Sequence, residues 1–225
     1  MALDHLHVER RDGPARPALV FTHGGGDSWE TWSKQLDHFG AARRTVAWDL
    51  RGHGRSHAPH DPAYYTRELA LADLAAVVES VGAPVVLAGH SLGGYLSIAY
   101  ALAHPEQVAA LVLVATGPGY RDPKARAGWN RMVDKNAAGL SIPAAAAELI
   151  KQHDTLVIDR LDQIAAPVLA AVGENDTVFH ASTALIAEKA PRSVGAHVIP
   201  GAGHHVHRHA AAEVNLLIEG LLAAL

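Results

Sequence analysis

The chain has 225 residues, of which 49% are hydrophobic and 19% are charged, and its formal net charge is −4. This composition excludes a disordered chain, and the length is sufficient to bury one substantial core. Because no basic block occurs, we expect neither nucleic acid nor an anionic membrane surface as a partner.

The chain contains no cysteine, which excludes disulfides, thiolate metal sites and cysteine nucleophiles. No apolar stretch is long enough to span a bilayer. The first residues lack the basic start and apolar run of a signal peptide, so we expect a cytoplasmic location.

Short apolar runs alternate along the chain with longer stretches of helical pattern. The predicted strands are Leu3–Glu9, Ala18–Thr22, Thr45–Asp49, Pro84–Ala88, Ala109–Val114, Val168–Val172 and Ala196–Ile199. The predicted helices are Trp29–Phe39, Thr66–Val81, Leu92–His104, Ala144–His153, Ser182–Ala190 and His207–Leu222. Several strand candidates are apolar throughout, which is typical of strands covered on both faces. The pattern predicts an α/β fold with a mostly parallel central sheet and helices on both faces, formed by residues 1–225 as a single domain.

The strongest motif follows the fourth predicted strand, where an apolar run leads into Gly89-His-Ser91-Leu-Gly93 and a helical pattern begins at once. This is the arrangement of a nucleophile elbow, a strained turn that lifts the serine hydroxyl above the sheet edge. Glycines at 89 and 93 suit a turn in which side chains would collide with neighbouring backbone. We therefore predict Ser91 as a nucleophile.

Two further motifs follow strand ends earlier in the chain. The run His23-Gly24-Gly25-Gly26 lets the backbone approach a ligand closely, with an N–H available for a developing oxyanion. The run Asp49-Leu-Arg51-Gly-His53-Gly-Arg-Ser56 follows the third predicted strand. With the elbow, these ordered motifs resemble the α/β-hydrolase superfamily in its serine-nucleophile branch, over roughly residues 17–222.

The resemblance implies the partners of Ser91. The strand ending near residue 172 is followed by Asp176, which matches the acid-bearing strand end of the family, with Glu174 as the alternative. The last strand is followed by a Gly-His loop whose first histidine, His204, matches the catalytic base, with His205 as the alternative. In relatives the stretch from Asp49 to Ser56 is mainly structural.

The resemblance also implies an oxyanion hole formed by the backbone N–H groups of Leu92 and Gly25, with Gly24 as an alternative donor. Substrate contacts are predicted for Gly24, Tyr120, Trp129 and Met132. The histidines at 204, 205, 207 and 209 are closely spaced, but no further ligand in the sequence completes a site, so we predict no functional metal.

Residues 116–166 separate two predicted strands and contain no convincing strand of their own. We predict a small helical cap at about 117–155, with Ala144–His153 as the ordinary crossover helix. Because so small a cap covers little, and because residues 24–26 lack side chains, we expect a shallow, accessible pocket with little discrimination among acyl chains.

These motifs predict a hydrolase that cleaves a carboxylic ester or related small acyl compound through Ser91, His204 and Asp176, without a cofactor. Epoxide hydrolases and haloalkane dehalogenases of this fold use a carboxylate nucleophile, and Ser91 argues against both. Carbon–carbon bond hydrolase, lactonase, thioesterase and cofactor-free haloperoxidase activities remain open, as does a ligand-perceiving receptor. The sequence leaves the oligomeric state open.

Overall fold

A computed structural model describes residues 3–225, and within that range seven strands form one sheet. The strands are β1 Val8–Asp12, β2 Ala15–Thr22, β3 Arg43–Trp48, β4 Val85–His90, β5 Val108–Val114, β6 Val168–Gly173 and β7 Ser193–Ile199. Their order across the sheet is β1-β3-β2-β4-β5-β6-β7. Only β1 runs antiparallel to its neighbour among these strands, so the predicted α/β fold with a mostly parallel sheet is confirmed.

Helices cover both faces of the sheet. The helices are α1 Ser33–Gly40, α2 Arg67–Val81, α3 Leu92–Ala103, α4 Pro123–Asn136, α5 His180–Lys189, α6 Val206–His209 and α7 Ala211–Ala223. Helices α2, α3 and α5 bury apolar side chains in one core, whereas α1 and α7 contribute to a second core on the opposite face. The apolar side chains of the central strands therefore pack into two cores, one on each face of the sheet.

The central strands are apolar throughout because both of their faces are covered. Every residue of β4 and of β6 is buried. Complete burial of a side chain such as Leu87 stabilises the fold by about 1.5–3 kcal/mol. This rigid sheet holds the strand ends that carry the predicted functional residues.

Strand β1 lies later in the chain than predicted, at Val8–Asp12 instead of Leu3–Glu9, and pairs with β3 from Val8 opposite Trp48. Its sequence after Val8 is entirely charged. An edge strand tolerates such residues, and its charges discourage pairing with other chains. Apolar pattern alone therefore placed this strand too early.

Two predicted helices are divided in the structure. The stretch from Trp29 begins with a 3-10 helix, Trp29–Trp32, before α1. The C-terminal stretch is broken at Ala210, whose φ of −120° and ψ of 52° are not helical, so α6 and α7 are separate.

The segment before β6 differs most from expectation. The predicted helix Ala144–His153 is a run of 3-10 turns, Ala144–Ile150, because packing of Ala146, Ala147 and Leu149 overrides the helical propensity of alanine. Within the stretch predicted as a small helical cap, for which the pattern gave no helix bounds, α4 forms between Pro123 and Asn136. No helix among residues 3–225 is long and apolar enough to cross a membrane.

Candidate active site

Ser91 lies at a sharp turn between β4 and α3. Its φ of 50° and ψ of −115° place a non-glycine residue in a sparsely populated conformation, which costs about 1–3 kcal/mol and persists only where surrounding contacts enforce it. The N–H of Ser91 donates to the carbonyl of Val114 at 3.0 Å, and Thr116 Oγ1 donates to the carbonyl of Ser91 at 2.6 Å. The turn is thus held from the neighbouring strand β5.

The glycines beside Ser91 are required by close backbone contacts. A Cβ at Gly89 would lie 2.3 Å from the carbonyl oxygen of Gly93, and a Cβ at Gly93 would lie 2.2 Å from that of Thr22. Both neighbours are backbone atoms and have little freedom to move away. The motif spacing therefore reflects packing of the elbow against β2.

His204 and Asp176 lie at the same edge of the sheet, after β7 and β6. His204 Nδ1 donates to Asp176 Oδ2 at 2.8 Å. The Asp176 side chain is buried, and Phe179 stacks on the His204 ring at 5.1 Å with an interplanar angle of 23°. These contacts fix the orientation of the His204 ring. Asp176 is bonded to Nδ1 and leaves the other ring nitrogen, Nε2, unoccupied by this hydrogen bond.

The alternative acid and base face elsewhere. Glu174 Oε2 accepts a hydrogen bond from the N–H of Gly201 at 2.8 Å, which stabilises the loop after β7. His205 Nε2 donates to the carboxylate of Asp27 at 3.1 Å. Neither side chain forms the contact expected of a residue that pairs with His204 or Asp176.

The predicted oxyanion donors belong to two different elements. Leu92 is the first residue of α3, so its N–H has no acceptor within the helix. Gly25 lies in a turn closed by donation from the N–H of Asp27 to the carbonyl of Gly24 at 3.2 Å. His23 anchors this loop, because its Nδ1 donates to the Gly24 carbonyl and its Nε2 accepts from the N–H of Leu50. Burial lowers the pKa of His23 to about 3, which keeps this tautomer neutral.

The predicted cap segment, residues 117–155, contributes four residues to a cavity beside Ser91. A cavity of about 30 Å³ is lined by Ser91, Leu92, Tyr95, Thr116, Gly117, Trp129, Ile150, Gln152 and Phe179. That volume is well below the roughly 300–1,000 Å³ of typical ligand pockets. The expected shallow, open pocket is therefore not what this structure shows.

The glycine-rich loop does not widen the pocket, because side chains from the cap segment occupy the space. A Cβ at Gly25 would lie 2.4 Å from Cδ1 of Ile150, and one at Gly26 would lie 2.8 Å from Cδ2 of Leu140. The pocket wall that a residue at 25 would supply comes instead from Ile150.

Of the predicted substrate-contact residues, Trp129 lines the cavity, with its Nε1 donating to the carbonyl of Ile150 at 2.9 Å. Tyr120 lies behind Trp129, at 6.0 Å between ring centroids. Met132 is 40% exposed on the outer side of α4. Gly24 lies against the His90 ring and does not line the cavity.

The loop after β3 is held in place by hydrogen bonds of its buried Asp49 and Arg51 side chains. Asp49 is buried and accepts hydrogen bonds from the N–H groups of Trp29 and Arg55 at 2.6 and 2.9 Å. Arg51 is also buried and forms two hydrogen bonds with Asp73 at 2.7 and 2.8 Å. These contacts tie the loop to its neighbours.

A second cluster behind His204 did not emerge from the sequence. Asp27, His90 and His205 bring three potential ligand atoms within 4.8 Å of one another. Burial opposes ionisation of Asp27, but hydrogen bonding from His205 and the proximity of His90 lower its pKa overall. The sequence held one indication that these residues lie close together, because each is next to a predicted functional motif. His90 precedes Ser91, His205 follows His204, and Asp27 follows the glycine-rich loop.

The comparisons with known proteins concern the family and the fold. A family model described as alpha/beta hydrolase fold matches residues 17–157. The chain is 38% identical over 110 residues to "Epoxide hydrolase 3" from Xenopus tropicalis, covering 48% of this chain and 30% of that protein. It is 41% identical over 111 residues to "Lipase LipV" from Mycobacterium tuberculosis, covering 48% of this chain and 41% of that protein. The matches therefore span less than half the length of these curated relatives.

Solved structures match over nearly the whole chain. An esterase from Thermogutta terrifontis superposes with a TM-score of 0.83 at 25% identity, covering 97% of this chain and 93% of that one. MenH from S. aureus superposes with a TM-score of 0.86 at 20% identity, covering 99% of both chains, a likeness that shows the fold alone. Since the family model matches more than half of the residues, the chain belongs to the alpha/beta hydrolase fold family.

Proposed function

We propose that the protein is a serine hydrolase that cleaves a carboxylic ester or a related acyl compound through an acyl-enzyme. The observation that carries the proposal is the strained conformation of Ser91 at one strand end, together with the 2.8 Å hydrogen bond between His204 and Asp176 at neighbouring strand ends. A serine nucleophile needs a base, and the base needs a group that fixes its tautomer. The three residues have the chemistry for those roles.

In the proposed mechanism, Nε2 of His204 accepts the proton of Ser91 Oγ as that oxygen attacks the substrate carbonyl carbon. Asp176 holds the proton on Nδ1 and stabilises the imidazolium that forms. The N–H groups of Leu92 and Gly25 stabilise the oxyanion, aided by the N-terminus of α3. His204 then protonates the leaving alcohol, and water activated by the same histidine hydrolyses the acyl-enzyme.

The curated relatives include both epoxide hydrolases and a lipase. Among these, the elbow residue favours lipase-like chemistry, because epoxide hydrolases of this fold carry a carboxylate where this chain has Ser91. The likeness to a thermophilic esterase is consistent with an ester substrate. Esters are therefore the substrate class that we propose.

Covalent labelling tests the assignment of Ser91. We expect one adduct per chain by intact-mass spectrometry after treatment with an organophosphonate, none in Ser91→Ala, and full labelling in the control Ser141→Ala. Labelling at another serine, or a folded wild-type chain that does not react, would contradict the proposal. A panel of p-nitrophenyl esters, lactones and thioesters then ranks the acyl compounds, with Ser91→Ala as the blank.

A further inference from the structure

His90, Asp27 and His205 form a cluster in which two lone-pair donors face each other. His90 is fully buried, and its Nε2 donates to the backbone carbonyl of His204 at 3.1 Å. In the neutral ring the other nitrogen, Nδ1, then carries a lone pair. That atom has no hydrogen-bond partner among the described residues and lies 3.5 Å from Oδ2 of Asp27.

A positive charge between His90 Nδ1 and Asp27 Oδ2 would stabilise this arrangement. A buried nitrogen lone pair beside a carboxylate oxygen is unfavourable unless a proton or another cation lies between them. A side chain at position 24 would collide with this pair, because its Cβ would lie 2.7 Å from His90 Nδ1 and 3.1 Å from Asp27 Oδ2. The missing side chain of Gly24 keeps the space beside both atoms free.

The distances fit a tetrahedral metal ion. Zinc binds imidazole nitrogen at about 2.0–2.1 Å and carboxylate oxygen at about 2.0–2.2 Å, so neighbouring ligand atoms lie about 3.4 Å apart. Asp27 Oδ2 lies 3.5 Å from His90 Nδ1 and 3.1 Å from His205 Nε2. All three ligand atoms lie within 4.8 Å of one another.

The cluster is reachable from solvent. Asp27 also lines a cleft of about 870 Å³ bounded by the 3-10 helix at Trp29–Trp32, Ser141 and Arg208. The Asp27 side chain is 18% exposed and that of His205 is 34% exposed. An ion arriving through the cleft would meet Asp27 first, and the fully buried His90 lies further in.

We infer that His90 Nδ1, Asp27 Oδ2 and His205 Nε2 bind a divalent transition-metal ion, most suitably Zn²⁺, with water as the fourth ligand. Two imidazoles and one carboxylate with an open position are a donor set that zinc accepts. The ion links the loops after β2 and β7 to the end of β4, directly behind His204. This site takes only His205 from the histidine run at 204–209 and adds Asp27 and His90 from other segments, and it does not depend on the proposed esterase activity.

Cobalt titration of the untagged, chelator-treated chain tests the site, because tetrahedral Co²⁺ has intense visible absorption that octahedral Co²⁺ lacks. We expect saturation at one ion per chain and displacement by Zn²⁺. Changes to outer ligands typically reduce metal affinity 10–100-fold, so loss of a direct ligand in Asp27→Asn or His205→Gln should reduce it by at least about 100-fold.

His209→Gln is the matched control, because His205 and His209 are four residues apart with ring centroids 6.3 Å apart and form the competing surface pair. We expect this variant to bind Co²⁺ like the wild type. Tetrahedral binding that survives Asp27→Asn but disappears in His209→Gln would overturn the proposal in favour of an adventitious surface site. Failure of the wild type to bind would also overturn it. Circular dichroism confirms folding, and His205→Gln serves as the second ligand variant should Asp27→Asn unfold.

Discussion

At the scale of single residues, the hydrogen bond between His204 and Asp176 separates these two side chains from their sequence neighbours. Glu174 and His205 lie one or two positions away, yet each has another partner, the Gly201 N–H and Asp27 respectively. A loop places adjacent side chains in different directions, so adjacency in sequence does not make them interchangeable.

His204→Ala and Asp176→Asn should each lower kcat by roughly 10³-fold or more, because the members of the proposed triad would act as a unit. Steady-state ester hydrolysis measures the effect. Glu174→Gln is the control for the acid, and its activity should stay near that of the wild type because Glu174 bonds only to the loop backbone. Loss of activity in Glu174→Gln with retention in Asp176→Asn would reverse the assignment.

Much of this residue-scale picture could be predicted from the sequence. The elbow at Ser91 and the strand-end positions of Asp176 and His204 are local patterns, each set by a strand and the turn that follows it. The cluster of Asp27, His90 and His205 could not be predicted in the same way, because its members lie on three segments whose contact depends on sheet order and loop direction. The same limit applies to Ile150 beside Gly25.

At the scale of elements, replacing glycine by alanine should have opposite effects on stability in the elbow and in helix α7. Gly93→Ala should abolish folding or greatly destabilise it, because the added Cβ would lie 2.2 Å from the carbonyl oxygen of Thr22. Gly220→Ala, in an exposed part of α7 with no neighbouring atom within 4 Å, should stabilise the chain by about 0.5–1 kcal/mol. Urea unfolding of both variants measures the difference, and a stable, fully folded Gly93→Ala would contradict the described packing.

The cap segment gives a prediction about specificity. A cavity of only about 30 Å³ beside Ser91 favours small acyl groups. Ile150→Ala removes the side chain over Gly25 and should shift kcat/KM towards butyryl over acetyl esters by about tenfold, since one methylene in an apolar pocket is worth about 1–3 kcal/mol.

Leu140→Ala is the matched control for Ile150→Ala, because Leu140 covers Gly26 and does not line the cavity. Its acyl preference should equal that of the wild type. Equal shifts in both variants would indicate general loosening of the cap segment rather than an enlarged cavity.

The secondary structure was predicted best where burial determines it. Strands β4 and β6 are buried throughout and were recognisable as continuous apolar runs. A helical cap was predicted around α4, but the bounds of this helix were not, because it buries only Val133. Asp122 accepts from the N–H of Lys124, and Pro123 occupies the first turn. That Asp-Pro pair is the signal that could have predicted the helix.

At the scale of the whole molecule, buried histidines determine how stability responds to acid. Burial lowers the pKa of His23 to about 3 and that of His90 to about 4, and it lowers the pKa of His207 well below the ordinary value. In the unfolded chain each imidazole titrates near about 6.5. Between pH 6.5 and about 4, the unfolded state therefore binds protons that the folded state excludes, and the free energy of unfolding falls as the pH falls.

His207→Phe isolates one of these contributions. His207 is fully buried, and its ring lies 4.2 Å from that of Trp32 at an interplanar angle of 34°. Neither ring nitrogen has a hydrogen-bond partner among residues 3–225. The free energy of unfolding of His207→Phe, relative to that of the wild type, should be higher at pH 5 than at pH 8. This difference should grow by up to about 1.36 kcal/mol for each pH unit below 6.5. Denaturant unfolding across this range measures it, and a pH-independent difference would show that His207 does not exclude protons.

Because Ile150 forms the wall over Gly25, acyl selectivity and bond cleavage depend on different segments of this chain. Residues of the elbow and the strand ends would carry out bond cleavage, whereas the wall nearest Gly25 belongs to a segment 125 positions later in the chain. Exchange of residues 137–152 can therefore alter which acyl groups fit without changing the sheet that aligns Ser91, Asp176 and His204. A library confined to that short stretch is the economical way to evolve new selectivity on this scaffold.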